Sequence, residues 1–197
     1  MSTPSRSDPE PRPWATWLLG ALLLGFHGVT SLWAPQVGLP ASEALLRARL
    51  RWFRQLIGGQ HRRFLDAGEW ERLLTSVWVH ADLLHLGLNT LAIVVVGSLL
   101  ERFVGPARVL TGFVVCGVLA SLASYLLGPN VSDGASGAAF GLLGMTIAHG
   151  FVHRASLDPH DRSVVLRWLP GFVVLNLVLS VVLPFVDIVA HAGGLVA

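Results

Sequence analysis

The chain of 197 residues is 53% hydrophobic and only 13% charged, with a mean hydropathy of +0.62, which excludes an ordinary soluble domain and describes a polytopic membrane protein. Its formal net charge of +2 is carried by arginine with no lysine at all, and the arginines are scattered among acids, which excludes a nucleic-acid footprint.

Residues 1–13 are rich in Ser, Pro, Arg and acids and are expected to form a disordered tail. Trp14 to about Ala34 is long enough to cross ~30 Å of hydrocarbon at ~1.5 Å per residue. A cleaved signal peptide is the competing reading, since Arg6 and Arg12 precede the run. The stretch is long for such a segment and no small-x-small cleavage site follows, so it is read as a retained first span. Residues 35–82 are the one long connection, in which seven arginines from Arg47 to Arg72 interleave with Leu46, Leu50, Trp52, Phe53, Leu56 and Ile57 at helical spacing. That pattern predicts amphipathic helices at the membrane surface, with Trp52, Trp70 and Trp78 as interfacial anchors.

Leu83 to Phe103 is the second expected span, closed by a polar turn at Glu101-Arg102 and Gly105-Pro106. Ala107 to Leu127 is the third; its Gly117, Ala120, Ser121 and Ser124 lie three or four apart and make a face for close helix contact. The single Cys116, without a partner for a disulfide or a thiolate metal site, reads there as a small hydrophobe. The fourth span runs from about Ser136 to His153 with Gly137, Gly141, Gly144 and Ala148 as a second small-residue stripe. After a polar connection from Arg154 to Arg162, the fifth covers Val164 to Leu183, with a kink expected at Pro170-Gly171. Pro184 and Asp187 turn the chain into Ile188–Ala197, which rises only about 15 Å, half the hydrocarbon thickness. The expectation is therefore a six-span all-α bundle whose sixth helix is a stub or has lost its far half.

Consecutive spans alternate direction, so the second, fourth and sixth begin on one face of the membrane. Near their beginnings lie His80, His85 and Asn89, then Ser136, then His191. Ionised groups in the middle of a span cost about 2 to 3 kcal/mol, so polar residues there face the bundle interior and mark function. Ser136 stands in Gly134-Ala135-Ser136-Gly137, where a loop turns into the fourth helix. On its own this cluster reads as helix packing. With an imidazole at a similar depth it permits nucleophilic acyl transfer: His191 takes the Ser136 proton. Backbone N–H groups at the start of the fourth helix, with His85 and Asn89, then receive the developing oxyanion. Phe140 sits one turn after Ser136. His80 reads as a structural hydrogen-bonding residue, and Asp187 as the N-cap of the sixth helix. No His-Glu-x-x-His occurs, so no metal site is assigned.

The arrangement His80-x4-His85-x3-Asn89, Gly134-Ala135-Ser136-Gly137 and Asp187-x2-Ala190-His191-x2-Gly194 resembles the rhomboid intramembrane serine proteases in their six-helix bacterial form. So does Glu69-Trp70-Glu71-Arg72, where that family often has a Trp-Arg pair. The resemblance implies a rhomboid-like transmembrane domain over residues 14–197, with Ser136 as nucleophile, His191 as its base, and His85, Asn89 and the Ser136 amide as oxyanion hole. It implies that Phe140 packs on the catalytic histidine, that Gly194 lets the sixth helix approach the fourth, and that Arg72 holds the first loop. Expected partners are single-span membrane protein substrates and the lipid bilayer, with no cofactor and no nucleic acid, in a bacterial inner membrane. A non-proteolytic rhomboid-like scaffold that binds transmembrane helices is the alternative. The arginine-rich first loop would lie outside, against the positive-inside tendency.

Overall fold

The computed structural model describes residues 12–33, 43–182 and 186–197, with side chains described from residue 50 onward in the first loop. Most of the expected N-terminal tail, the start of the long loop and the Pro184 turn lie outside the described residues. Among the described residues, four helices are long and apolar enough to cross a membrane. They are α1 (Trp14–Trp33), α5 (Leu83–Val104), α6 (Pro106–Leu127) and a composite helix over Pro159–Val182. The last is built from α8 (Pro159–Ser163), a π-helical turn (Val164–Trp168) and α9 (Leu169–Val182). Shorter α7 (Ser136–Val152) and α10 (Ile188–Val196) complete the bundle. Leu83, Leu88, Leu91 and Val95 of α5 point outward and are more than half exposed, a face suited to lipid rather than water.

The centre of the bundle is α6, α7 and α10, and small residues set its spacing. A methyl group on Gly137 would collide with Ala120, and one on Gly141 with Cys116, so α7 lies almost backbone to backbone on α6. Cys116 is buried at that crossing, the packing role expected of it. On the other side, Gly144 leaves room for the Leu195 carbonyl of α10, and Gly193 of α10 for Ala123 of α6.

Between α1 and α5 lie α2 (Glu43–Leu56), α3 (Arg62–Asp66), α4 (Arg72–Thr75) and a 3-10 turn (Ser76–Trp78). A two-residue strand β1 (Gln60–His61) pairs antiparallel with β2 (Val131–Ser132), a link between the first loop and the segment before α7 that hydropathy does not signal. Arg72 knots the loop. Its Nε and one terminal nitrogen each reach Glu69 Oε2 at 2.7 Å, and its other terminal nitrogen donates to the carbonyls of Gln55 (2.6 Å) and Gly59 (2.8 Å). The guanidinium also lies 4.1 Å from the Phe64 ring centre.

Two expectations need correction. Glu101 is not part of a solvated turn: it lies inside α5, 6% exposed, and caps the start of α1. Its carboxylate accepts from Ala15 N–H (3.1 Å), Thr16 N–H (2.8 Å) and the Thr16 hydroxyl (2.6 Å), donors that the first turn of a helix leaves unpaired. The turn itself falls at Gly105, whose φ of 83° requires glycine. The fifth span also begins earlier than Val164. Asp158 accepts from His160 and Asp161 N–H and Pro159 occupies the first helical position, a capping signal that starts the helix inside the polar connection. The strain of Pro170 is taken up just ahead of it, where the widened turn Val164–Trp168 carries a Leu169 N–H to Val164 C=O bond.

Candidate active site

The segment leading into α7 is held from several sides. Gly134 has φ of 118° and its Cα faces the His85 ring and the Asn89 amide so closely that a Cβ would lie 2.7 Å from His85 Cε1 and 3.3 Å from Asn89 Nδ2. Only glycine meets both demands. Gly134 N–H donates to Ser76 C=O at 3.0 Å. Ala135 N–H donates to His80 Nε2 at 3.3 Å, so the His80 proton sits on Nδ1, which donates to Trp78 C=O at 3.1 Å. His80 is buried, and both its ring nitrogens serve to hold this turn. Asp133 accepts from Gln60 N–H at 2.9 Å and faces Arg54 Nε at 3.5 Å. Burial pushes the Asp133 carboxyl up to about 6, in spite of the Arg54 charge and the Gln60 hydrogen bond, which pull it down.

Ser136 then opens α7, half-buried, with its backbone N–H among the free donors of the first turn. Facing it is α10. Asp187 caps that helix by accepting from Ala190 N–H at 3.0 Å, and its other oxygen accepts a short hydrogen bond from the Ser124 hydroxyl. Gly194 meets Gly137 backbone to backbone, and the His191 ring stacks on Phe140 with centroids 4.3 Å apart and planes 14° from parallel. Ser136 and His191 therefore sit on directly abutting helices, at the same end of the bundle, with no helix between them. His191 Nδ1 pairs with Ser180 Oγ of α9 at 3.0 Å. Neither Ser136 Oγ nor His191 Nε2 has a hydrogen-bond partner among the described residues, each other included.

The N-terminus of α5 supplies the third wall. Asp82 caps it by accepting from His85 N–H at 2.8 Å. The His85 ring packs edge-on against His80 with centroids 5.1 Å apart. Asn89, one turn on, is 6% exposed, and its Nδ2 is buried without an acceptor among the described residues. A buried amide donor left unpaired costs about 1 to 3 kcal/mol, so its retention calls for a reason.

The profile of the Rhomboid domain family matches residues 67–197, well over half of the chain, a range that includes Ser136, His191, His85 and Asn89. The chain belongs to the rhomboid family. Rhomboid protease GluP of Bacillus subtilis (strain 168) is 33% identical over 140 residues, 71% of this chain and 27% of that protein. RHOMBOID-like protein 5 of Arabidopsis thaliana is 32% identical over 218 residues, 98% of this chain and 69% of the relative. Inactive RHOMBOID-like protein 8, also of Arabidopsis thaliana, is 32% identical over 179 residues, 90% of this chain and 48% of the relative. This chain thus spans about a quarter of the Bacillus protein's length and about half of the inactive relative's.

In this rhomboid, Ser136, Gly137, Phe140, His191 and Gly194 come together at the α7–α10 contact, with Gly134, His80, His85 and Asn89 around the entry to α7. Asp187 is turned to its own helix and to Ser124 rather than to His191. Arg72 stands apart from this group and acts on the first loop. Sequence reasoning missed Ser180 and Asp133. The first is a serine in an apolar helix and the second an acid in a short loop, and neither has a local signature.

Proposed function

We propose that this rhomboid is a serine endopeptidase that cuts transmembrane segments of single-span membrane proteins with a Ser136–His191 dyad. The observation that carries the reading is the buried, unpaired Asn89 Nδ2 beside the turn that leads into Ser136. A buried donor without an acceptor among the described residues is suited to an oxygen whose charge appears only during reaction. His191 Nε2, itself without a partner, takes the Ser136 proton as Oγ attacks the scissile carbonyl carbon. The tetrahedral oxyanion is received by Asn89 Nδ2, His85 and the Ser136 N–H. Collapse breaks the C–N bond as the His191 imidazolium protonates the leaving amine. Water, deprotonated by the same imidazole, then releases the acyl group and restores Oγ–H. Serine–histidine bonds of this kind often close only in the reacting complex.

Ser136→Ala and His191→Ala should each abolish cleavage of a helix-destabilised single-span reporter while the protein stays folded. A fluorophosphonate probe should label the parent and not Ser136→Ala. A non-proteolytic scaffold that binds transmembrane helices is the second reading, favoured by the likeness to a relative named as inactive. It predicts reporter binding with no cleavage and no Ser136-dependent labelling. From the Bacillus subtilis relatives we infer a bacterial inner (cell) membrane as the setting. Relatives in Arabidopsis thaliana cover as much of the chain, so membrane fractionation of the source cells decides that point.

A further inference from the structure

We propose that Ser180, on a helix that supplies no residue of the expected site, is a positioning residue that sets the tautomer of His191 and leaves Nε2 as its bare, proton-accepting nitrogen. The catalytic consequence rests on the protease reading, whereas the pairing stands by itself.

The assignment follows from counting protons. Ser180 Oγ has one hydrogen, and the Asn176 carbonyl one turn back in α9, 2.7 Å away and the shorter of its two contacts, can only accept it. Toward His191 Nδ1, 3.0 Å away, the hydroxyl can then only accept. With the hydroxyl hydrogen so placed, Nδ1 carries the ring proton and Nε2 has a free lone pair. Both side chains are buried, at 5% and 8% exposure, so water does not compete freely for either end of the bond. The nearby carboxylate that could do the same work is committed elsewhere, since Asp187 accepts from Ala190 N–H and from Ser124.

Phe140 cannot make this choice. Its ring holds the imidazole plane to within 14° of its own, yet turning the imidazole over by half a revolution keeps the same stack and exchanges the positions of the ring atoms. Stacking fixes the plane, and a directional hydrogen bond to Nδ1 fixes which edge points where. Ser180 is the one hydrogen-bond partner of the His191 ring among the described residues. A neutral acceptor here also supports the imidazolium that forms during reaction, without burying a second charge.

The test uses the full-length protein with Ser180→Ala and Ser180→Thr, the second keeping a hydroxyl at the same place. On a cleavable single-span reporter, Ser180→Ala should lower kcat by about tenfold to a hundredfold, the scale of one hydrogen bond to a charged group, with KM little changed. Ser180→Thr should recover most of the rate. Imidazole 15N spectra, taken in a Ser136→Ala background and assigned by the signals lost in His191→Asn, should show protonated Nδ1 and bare Nε2. Adding Ser180→Ala should mix or reverse the two. Unchanged kcat in Ser180→Ala, equal loss in Ala and Thr variants, or a His191 spectrum indifferent to Ser180 would each overturn the proposal. If the parent cleaves nothing, the protease reading falls, and the spectra still decide whether Ser180 sets the tautomer.

Discussion

Gly137 of α7 and Gly194 of α10 face each other so closely that a methyl group on Gly194 would overlap the Gly137 carbonyl oxygen and lie 2.8 Å from the carbonyl carbon. The atoms in the way are backbone, which cannot rotate aside as a side chain would. Gly194→Ala must therefore push α10 off α7, and with it His191 away from Ser136. Overpacking of this kind costs about 1 to 3 kcal/mol or more. The expected outcome is a lower unfolding temperature in detergent together with loss of Ser136-directed probe labelling. A variant that keeps parental stability and labelling would show that the helices do not need this contact.

Arg72 should not tolerate lysine. Its planar fork serves Glu69 and two backbone carbonyls at once while stacking on Phe64, and one ammonium on a flexible stem cannot reach all of these. Arg72→Lys is predicted to destabilise the first loop by about 1 to 3 kcal/mol, the range for a hydrogen-bonded charged group. Limited proteolysis reads this directly, as faster cutting between Gln55 and Gly59, where the freed carbonyls lie.

Glu101 offers a control at the other end of α5. It lies twelve residues beyond Asn89 (101 − 89), about 18 Å along the helix. Glu101→Gln replaces one acceptor oxygen by an amide that faces N–H donors, so part of the cap on α1 is lost. Unfolding should become easier by about 2 to 3 kcal/mol, the upper range for a hydrogen bond to a charged group. At temperatures where the variant stays folded, Ser136 labelling should proceed at the parental rate.

The bundle was legible because its signals are local: apolar runs of spanning length, small residues three or four apart, and helix direction alternating from span to span. The same parity brought His85, Asn89, Ser136 and His191 to one end of the bundle on paper. Asp187 could be read as a cap because the N–H it accepts from, that of Ala190, is three residues on. What escaped notice lies in pairings between distant segments. Nothing near Glu101 signals that its donors are Ala15 and Thr16, and nothing near Asp133 signals Gln60 and Arg54. Ser180 looked like one more small residue in an apolar helix. The Pro170 kink was foreseen at the proline, but the backbone widens in the turn before it, where the carbonyl that proline crowds is located.

Asp133 makes stability depend on pH in a direction opposite to that of most paired carboxylates. Burial is the leading effect and raises its folded pKa to about 6, from a reference of 3.8. Between those two values the folded protein keeps a proton that the unfolded chain has lost. Unfolding then releases a proton, so stability falls as pH rises through this window and levels off above it. The full effect is at most about 3 kcal/mol. Asp133→Asn keeps an oxygen for the Gln60 N–H and removes the titration, so its stability should be flatter over the same range. Unfolding temperatures of both proteins from about pH 4 to 7 give the comparison. If the parent instead gains on Asp133→Asn as pH rises, the Arg54 charge outweighs burial, and the segment before Ser136 is held by an ion pair rather than by a protonated acid.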